Sequence, residues 1–260
     1  MRLKITLKQT KPEQVIPLNY QYPLSTVIYK IIESSNSEYA KWLHDKGFIN
    51  GTKRFKFFTF SSLRVKDYEI KGNKMILKSP YMDFTISIVA DETLENFVVG
   101  MFKNKKIKIY DSITEAEFEI KTVEKESNVN FREEMKFRTI SPLVLSKRTE
   151  YNGKDSEKYL SPLEDDYKEY FKKNLEEKYL AYSMTLNEPV KELSFEDFEL
   201  IGEPRSKLIA VKQGENGETK VRGYMFDFKL KADPQLIQIG YSAGFGKLCS
   251  LGMGCVKEIE

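Results

Sequence analysis

Gly240-Tyr241-Ser242-Ala243-Gly244-Phe245-Gly246-Lys247-Leu248-Cys249-Ser250-Leu251-Gly252-Met253-Gly254 holds five of the 14 glycines of the chain. Lys247 is its only cation, and it contains no acid. Glycine tolerates positive φ and lets backbone approach a partner with no Cβ in the way. Successive exposed amides in such a loop can cradle an anion, and phosphate is the first candidate. A P-loop needs four residues between its first glycine and its Gly-Lys pair, then Ser or Thr. Gly240 and Gly246 are separated by five residues, and Leu248 follows Lys247. A dinucleotide fingerprint needs glycines at relative positions one, three and six. Gly244 and Gly246 supply the first two, but Cys249 occupies the third. What remains is a glycine-rich, weakly basic loop of another kind, or a set of tight turns between short strands.

The segments around this loop alternate between strand and helix patterns. Just before it, Asp233–Gly240 predicts a short helix that delivers Gly240 into the loop. Just after it, Met253–Ile259 predicts the last strand. Upstream, strands are expected near Glu192–Leu200, Lys207–Val211 and Val221–Lys229, with a hairpin tip at Gly214–Gly217. Ser161-Pro162-Leu163-Glu164 has the form of a capping box with proline in the first turn. The helix it opens would bury Leu163, Tyr167, Tyr170, Phe171, Leu175 and Tyr179. Asn152–Ser156 is expected to be a loop, and Met135–Ile140 to be a strand ended by Ser141-Pro142.

The first half has the same order of elements. Leu3, Ile5 and Leu7 alternate with polar residues over Met1–Lys8, which is a strand pattern with no signal-peptide apolar core. Leu24, Val27, Ile28, Ile31 and Ile32 have helical spacing, and Tyr29 falls off that stripe. Ser35 and Glu38 suggest a capping box for a second helix, with Tyr39, Trp42 and Leu43 on its apolar face and Gly47 as its stop. Lys56–Leu63 is a β-prone run, Lys71-Gly72-Asn73 marks a hairpin, and Asp83–Val89 is a further strand. Thr93–Phe102 follows as a helix, then strands at Ile107–Tyr110 and Ala116–Val123. The polar stretch Lys125–Asn130 places a domain boundary, giving domains over 1–124 and 125–260. Each half follows a βαββαβ order, so the expected fold class is α+β.

Bulk properties set limits on function. A length of 260 residues with 40% hydrophobic content supports real cores, while 31% charged content is too high for a membrane protein. No run approaches the roughly 18 apolar residues of a spanning helix, so the chain is expected to be cytoplasmic with no membrane partner. Cys249 and Cys255 do not form a C-x-x-C pair and there is one histidine, so neither a metal site nor a cofactor is expected. Net charge is only +3, but acids gather at Glu115–Glu126 and Glu157–Glu177. Bases without acids occur at Lys53-Arg54-Phe55-Lys56, at Lys103–Lys108, and at Lys207, Lys212, Lys220 and Arg222. A basic face for a polyanion is one reading and ordinary solvated surface is the other.

Few residues could carry chemistry. His44 has the pKa class for proton transfer near neutrality, or it caps a helix C-terminus. Tyr29 could donate or accept through its phenol, or be a partly buried surface aromatic. Lys56 could set an ammonium against a phosphate, or be strand-edge charge. Aromatics among Phe55–Phe60 could stack bases or simply fill a core.

Four segments taken in order resemble a known family. They are Val27-Ile28-Tyr29, Trp42-Leu43-His44-Asp45-Lys46-Gly47-Phe48, Lys56-Phe57-Phe58-Thr59-Phe60-Ser61, and the loop Gly240–Gly254. Together they resemble the Cas6 endoribonucleases of the CRISPR-associated RAMP superfamily, across essentially the full length. The resemblance implies tandem ferredoxin-like (RRM-like) domains. It implies cleavage of CRISPR repeat RNA in a precursor transcript, releasing guide RNAs, with precursor and mature guide RNA as partners. The cut it implies is metal-independent: the 2′-hydroxyl attacks the adjacent phosphate, leaving a 2′,3′-cyclic phosphate and a 5′-hydroxyl.

By motif position, His44 would be the general base. Tyr29 would orient the attacking group or protonate the leaving oxygen, and Lys56 would stabilise charge on the phosphorane. An insert over 48–55 leaves Lys53 as the other candidate lysine, although Lys56 directly precedes the aromatic strand as the pattern requires. Lys53, Arg54, Gly244, Gly246, Lys247, Ser250 and Gly252 would bind RNA. The alternative is a non-catalytic RAMP-type subunit that holds guide RNA among other interference-complex subunits, as a monomer or homodimer. Convergence of Tyr29, His44 and Lys56 in space separates the two.

Overall fold

The computed structural model describes every residue except 90, 152, 188 and 215, and every side chain except those and 151, 154 and 155. Strand β1 (Arg2–Gln9) follows directly from its alternation, with Leu3, Ile5 and Leu7 buried on one face. Helices α1 (Gln21–Ser35) and α2 (Ser37–Asp45) lead to β2 (Phe58–Phe60) and β3 (Tyr81–Ile88). Helix α3 (Asp91–Lys103), β4 (Lys106–Tyr110) and β5 (Glu115–Lys125) complete the first unit. Its main sheet runs β4-β5-β1-β3-β2 with all named pairs antiparallel. Without the edge strand β4, this is the order of a ferredoxin-like βαββαβ unit.

The second unit repeats it. Strand β6 (Glu134–Thr139) is followed by a hairpin, β7 (Ser146–Tyr151) with β8 (Lys154–Tyr159), and by α4 (Tyr167–Leu186). Then come β9 (Phe195–Val211), β10 (Thr219–Ala232), α5 (Pro234–Ala243) and β11 (Val256–Ile259). The antiparallel sheet order is β9-β10-β6-β11. Tandem ferredoxin-like units are therefore the fold. A single contiguous apolar cluster runs through both, from Leu3 to Val256, so the two units pack as one body.

Several local expectations need correction. The cap of α2 is Asn36, whose side chain accepts from the Tyr39 amide at 2.9 Å, and not Ser35. The aromatic run does not form one strand, because Phe57 takes φ of +50° and only Phe58–Phe60 pairs with β3. Ser161 and Glu164 do bond reciprocally, Ser161 N to Glu164 Oε1 at 2.9 Å and Leu163 N to Ser161 Oγ at 3.3 Å. They build a turn ahead of the helix, which begins at Tyr167, and Leu163 is 71% exposed.

The strands expected near 192–200 and 207–211 are one strand, β9, bent by an irregularity between Ile201 and Arg205. Helix α5 runs through Gly240 to Ala243, capped by Asp233 accepting from the Gln235 amide at 2.8 Å. The expected loop at Asn152–Ser156 is mostly strand β8; Asn152 itself, and Glu215 of the expected tip Gly214–Gly217, lie outside the described residues. No helix of the described residues is long and apolar enough to cross a membrane.

Candidate active site at the domain seam

The C-terminal end of α2 lies beside the middle of α1. Helix α1 buries Leu24, Val27, Ile28, Ile31 and Ile32, which leaves Tyr29 at the edge of the core. The Tyr29 ring meets His44 edge-on, with centroids 5.4 Å apart at 79°, and meets Phe58 at 5.5 Å. Burial pushes the Tyr29 hydroxyl up to about 12, only partly offset by a hydrogen bond with the Ser250 side chain. Tyr29 is thus a neutral phenol across the physiological range.

His44 occupies the last turn of α2, where a cation is favoured by the helix dipole. Its side chain is 70% exposed, with Nδ1 3.0 Å from Asp45 Oδ1. The bond to His44 holds the Asp45 carboxyl below its ordinary range. Asp45 completes a His–carboxylate pair, and its only signal in the sequence is adjacency to His44.

Lys56 reaches the same helix end from the other side. Gly47, at φ of +63°, turns the chain out of α2 and lets it return. The Lys56 ammonium then donates to the carbonyls of Leu43 at 2.5 Å and His44 at 2.6 Å, while Arg54 donates to the Asp45 carbonyl at 2.7 Å. These cations satisfy the free carbonyls of the helix end. Burial, followed by the charge of Arg54, lowers the Lys56 amine to about 8, against the opposing pull of Asp45. Lys53 points elsewhere and pairs with Glu177 of α4 at 2.5 Å. Tyr29, His44 and Lys56 are therefore together, and Lys53 is not with them.

The glycine-rich loop is folded inward. Its amides at Phe245, Lys247 and Gly254 donate to the carbonyls of Gly254, Val144 and Pro142 at 2.7–2.9 Å, and those at Leu251 and Gly252 donate within the loop. These five amides already have protein acceptors, so none of them is left to cradle an anion. Gly252, at φ of +74°, lies against the Phe60 ring, where a Cβ would come within 2.2 Å. Gly244 lies between Thr59 and Cys249, and Gly246 against Val144. All three glycines are buried.

Thr59 donates to the Met253 carbonyl at 2.8 Å and Ser25 to the Ser250 carbonyl at 2.7 Å, so the loop joins the two units. The ammonium of Lys178, a fully buried lysine of α4, donates to the Gly244 carbonyl from beneath. Lys247 is held by Glu157 at 2.8 Å and Ser146 at 2.6 Å. Ser250 sits at Tyr29, and so reaches the candidate site through that tyrosine.

A double ferredoxin-like chain whose glycine-rich seam holds a Tyr–His–Lys cluster belongs structurally with RAMP-type proteins. A solved structure described as a Cas6-related gene product from Pyrococcus furiosus superposes with a TM-score of 0.81 at 23% identity, covering 100% of this chain and 98% of that one, which shows the shared fold. Another, described as CRISPR associated protein Cas6, has a TM-score of 0.77 at 30% identity over 100% of this chain and 99% of the other. The family described as "CRISPR-associated protein Cas6, N-terminal" matches residues 15–125, and "CRISPR associated protein Cas6, C-terminal" matches residues 122–258. CRISPR-associated endoribonuclease Cas6 1 of Methanocaldococcus jannaschii is 33% identical over 100% of this chain and 93% of its own length. The chain belongs to the Cas6 family.

Proposed function

We infer that the chain is an endoribonuclease that cuts CRISPR repeat RNA within a precursor transcript, without a metal. The observation that carries this is the meeting of three groups at one helix end: the Tyr29 phenol, the His44 imidazole and the Lys56 ammonium. With Nδ1–H donated to Asp45, His44 Nε2 is left to take the proton of a ribose 2′-hydroxyl. Attack on the neighbouring phosphorus forms a phosphorane. Departure of the 5′-oxygen, with a proton returned to it, leaves a 2′,3′-cyclic phosphate and a 5′-hydroxyl.

Lys56 is mostly charged at neutral pH, since its value is about 8. Its place beside His44 is fixed by two backbone carbonyls, and a cation held there in advance would stabilise charge growing on the phosphorane oxygens. Tyr29, neutral throughout this range, donates to the reacting oxygens. An attached nucleophile needs only correct orientation, which is why no metal is called for. Arg54, at the same helix end, and the accessible Lys247 and Ser250 side chains are proposed to meet the RNA backbone, while Gly244, Gly246 and Gly252 shape the seam that holds Ser250 against Tyr29. Lys53 would act by linking the insert to α4. Repeat RNA incubated with the protein in EDTA should be cut, and RNA carrying 2′-deoxyribose at the cut should bind and stay whole. Cleavage of the deoxy substrate would overturn the mechanism.

A further inference from the structure

A second cleft opens two helical turns from Tyr29, between α1, the end of β4 and the end of β9. Its volume is 180 Å³, below the roughly 300 Å³ at which drug-sized ligand sites begin. Tyr22 and Tyr110 line it from opposite elements, and no ring contact joins them among the described residues. Each carries a lysine on its ring. Lys212 Nζ lies 5.7 Å from the Tyr22 centroid, and Lys30 Nζ lies 4.9 Å from the Tyr110 centroid and 2.7 Å from its hydroxyl. Neither lysine has a carboxylate partner among the described residues.

Asp111 supplies the polar edge. Its Oδ1 accepts from the amides of Ile113 and Thr114 and from the Thr114 hydroxyl, which leaves Oδ2 as an acceptor. Asn19 and Gln213, bonded to each other at 2.9 Å, close the far wall across the two units. Two aromatic rings with no ring contact between them, the Lys212 ammonium and one carboxylate in a slot of this size, with the Lys30 ammonium beside it on the Tyr110 hydroxyl, are complementary to a planar heterocycle attached to a phosphate.

We propose that this cleft binds one unpaired nucleobase of the RNA, stacked on Tyr22 and Tyr110, with Lys30 and Lys212 on its phosphates. This rests on the RNA-cleaving function inferred above. Tyr22 and Tyr29 are seven residues apart on one face of α1, about 10 Å along the axis. Lys30 adjoins Tyr29. The base therefore lies within a few nucleotides of the reacting phosphate, and the cleft sets which phosphate reaches His44. The Asp111 carboxylate accepts from an exocyclic amine, so cytosine, adenine or guanine is favoured over uracil.

The test walks a single abasic nucleotide through repeat RNA that carries 2′-deoxyribose at the mapped cut. Affinity is read by fluorescence anisotropy for wild type, Tyr22→Ala, Tyr110→Ala and the two Tyr→Phe variants, with thermal melting to confirm folding. Both tyrosines are partly exposed, so truncation should leave the fold intact. At one position near the cut, removing the base should weaken wild type about 5- to 150-fold. The same abasic change should cost the alanine variants nothing further, and the phenylalanine variants should behave as wild type. Lys212→Ala should weaken binding to every sequence and reduce the salt slope by about 1.

Alanine variants that bind intact RNA like wild type, or that lose the same factor at every abasic position, overturn the base slot while leaving the cleavage site standing. Wild type that prefers repeat RNA to unrelated RNA by no measurable factor overturns both.

Discussion

Gly252→Ala separates a packing role for the glycine-rich loop from a ligand-binding one. The new Cβ would stand 2.2, 2.6 and 2.7 Å from three carbons of the Phe60 ring, which is itself fully buried under the seam. Phe60 belongs to β2 and cannot withdraw without disturbing its pairing with β3. Overpacking of this kind costs about 1–3 kcal/mol, and placing a Cβ at φ of +74° adds about 1–2 kcal/mol. The sum is about 2–5 kcal/mol. At roughly 2–4 °C per kcal/mol for a chain of this size, the melting midpoint should fall by about 4–20 °C. Gly51→Ala is the control, because Gly51 has φ of +58° and nothing within 4 Å of its new Cβ; it should lose only the backbone part. Both are read by thermal melting followed by circular dichroism. A Gly252→Ala protein that melts with wild type but binds RNA weakly would refute the packing account and restore the loop as a ligand cradle.

The pH dependence of Lys56 gives two further predictions. Its folded value of about 8 lies below the ordinary 10.5, so between those values the unfolded chain binds more protons and stability rises with pH. The urea midpoint of wild type relative to Lys56→Met should therefore rise from pH 8 to pH 10, and a fall would contradict the burial assigned to Lys56. Cleavage, which needs the charged amine, should decline above pH 8, and Lys56→Arg should shift that limb upward or remove it. Glu157→Gln releases Lys247 from its ion pair; RNA affinity should rise at low salt and converge with wild type at high salt, with little change in stability because exposed pairs contribute about 0–1 kcal/mol. Tyr29→Phe should slow cleavage on saturating RNA while the melting midpoint falls by only about 1–6 °C, since the bond to Ser250 is lost with the hydroxyl; an unchanged rate would remove Tyr29 from the chemistry.

Much of this fold is written locally. Alternation in Leu3, Ile5 and Leu7 and the helical stripe from Leu24 to Ile32 specify elements that the core then uses on the faces their periods predict. Departures occur where a tertiary contact competes. Phe57 leaves the strand at positive φ, next to Lys56, whose ammonium is bonded to the end of α2. Ser161 and Glu164 satisfy their capping pattern in a turn that continues no helix. The loop composition shows glycine but not what each glycine faces; for Gly252 that is Phe60, nearly 200 residues away in sequence and outside the reach of any local pattern.

For the site, motif resemblance points to Tyr29, His44 and Lys56, while the bond from His44 to Asp45 has no sequence pattern beyond adjacency. Lys53 and Lys247 are expected to meet RNA, and their ion-pair partners Glu177 and Glu157 are brought near only by the folded chain. Tyr22 and Tyr110 are distant in sequence and had no motif to mark them.

The most direct measurement compares wild type with His44→Ala, single turnover, on repeat RNA in EDTA. Because His44 is exposed and its ring meets Tyr29 and Asp45 at the protein surface, the variant should melt with wild type and bind RNA with similar affinity. Its cleavage rate should fall by about 10²–10⁴-fold. A variant that cuts at the wild-type rate, or a wild type that cuts only when divalent cations are restored, would contradict the account.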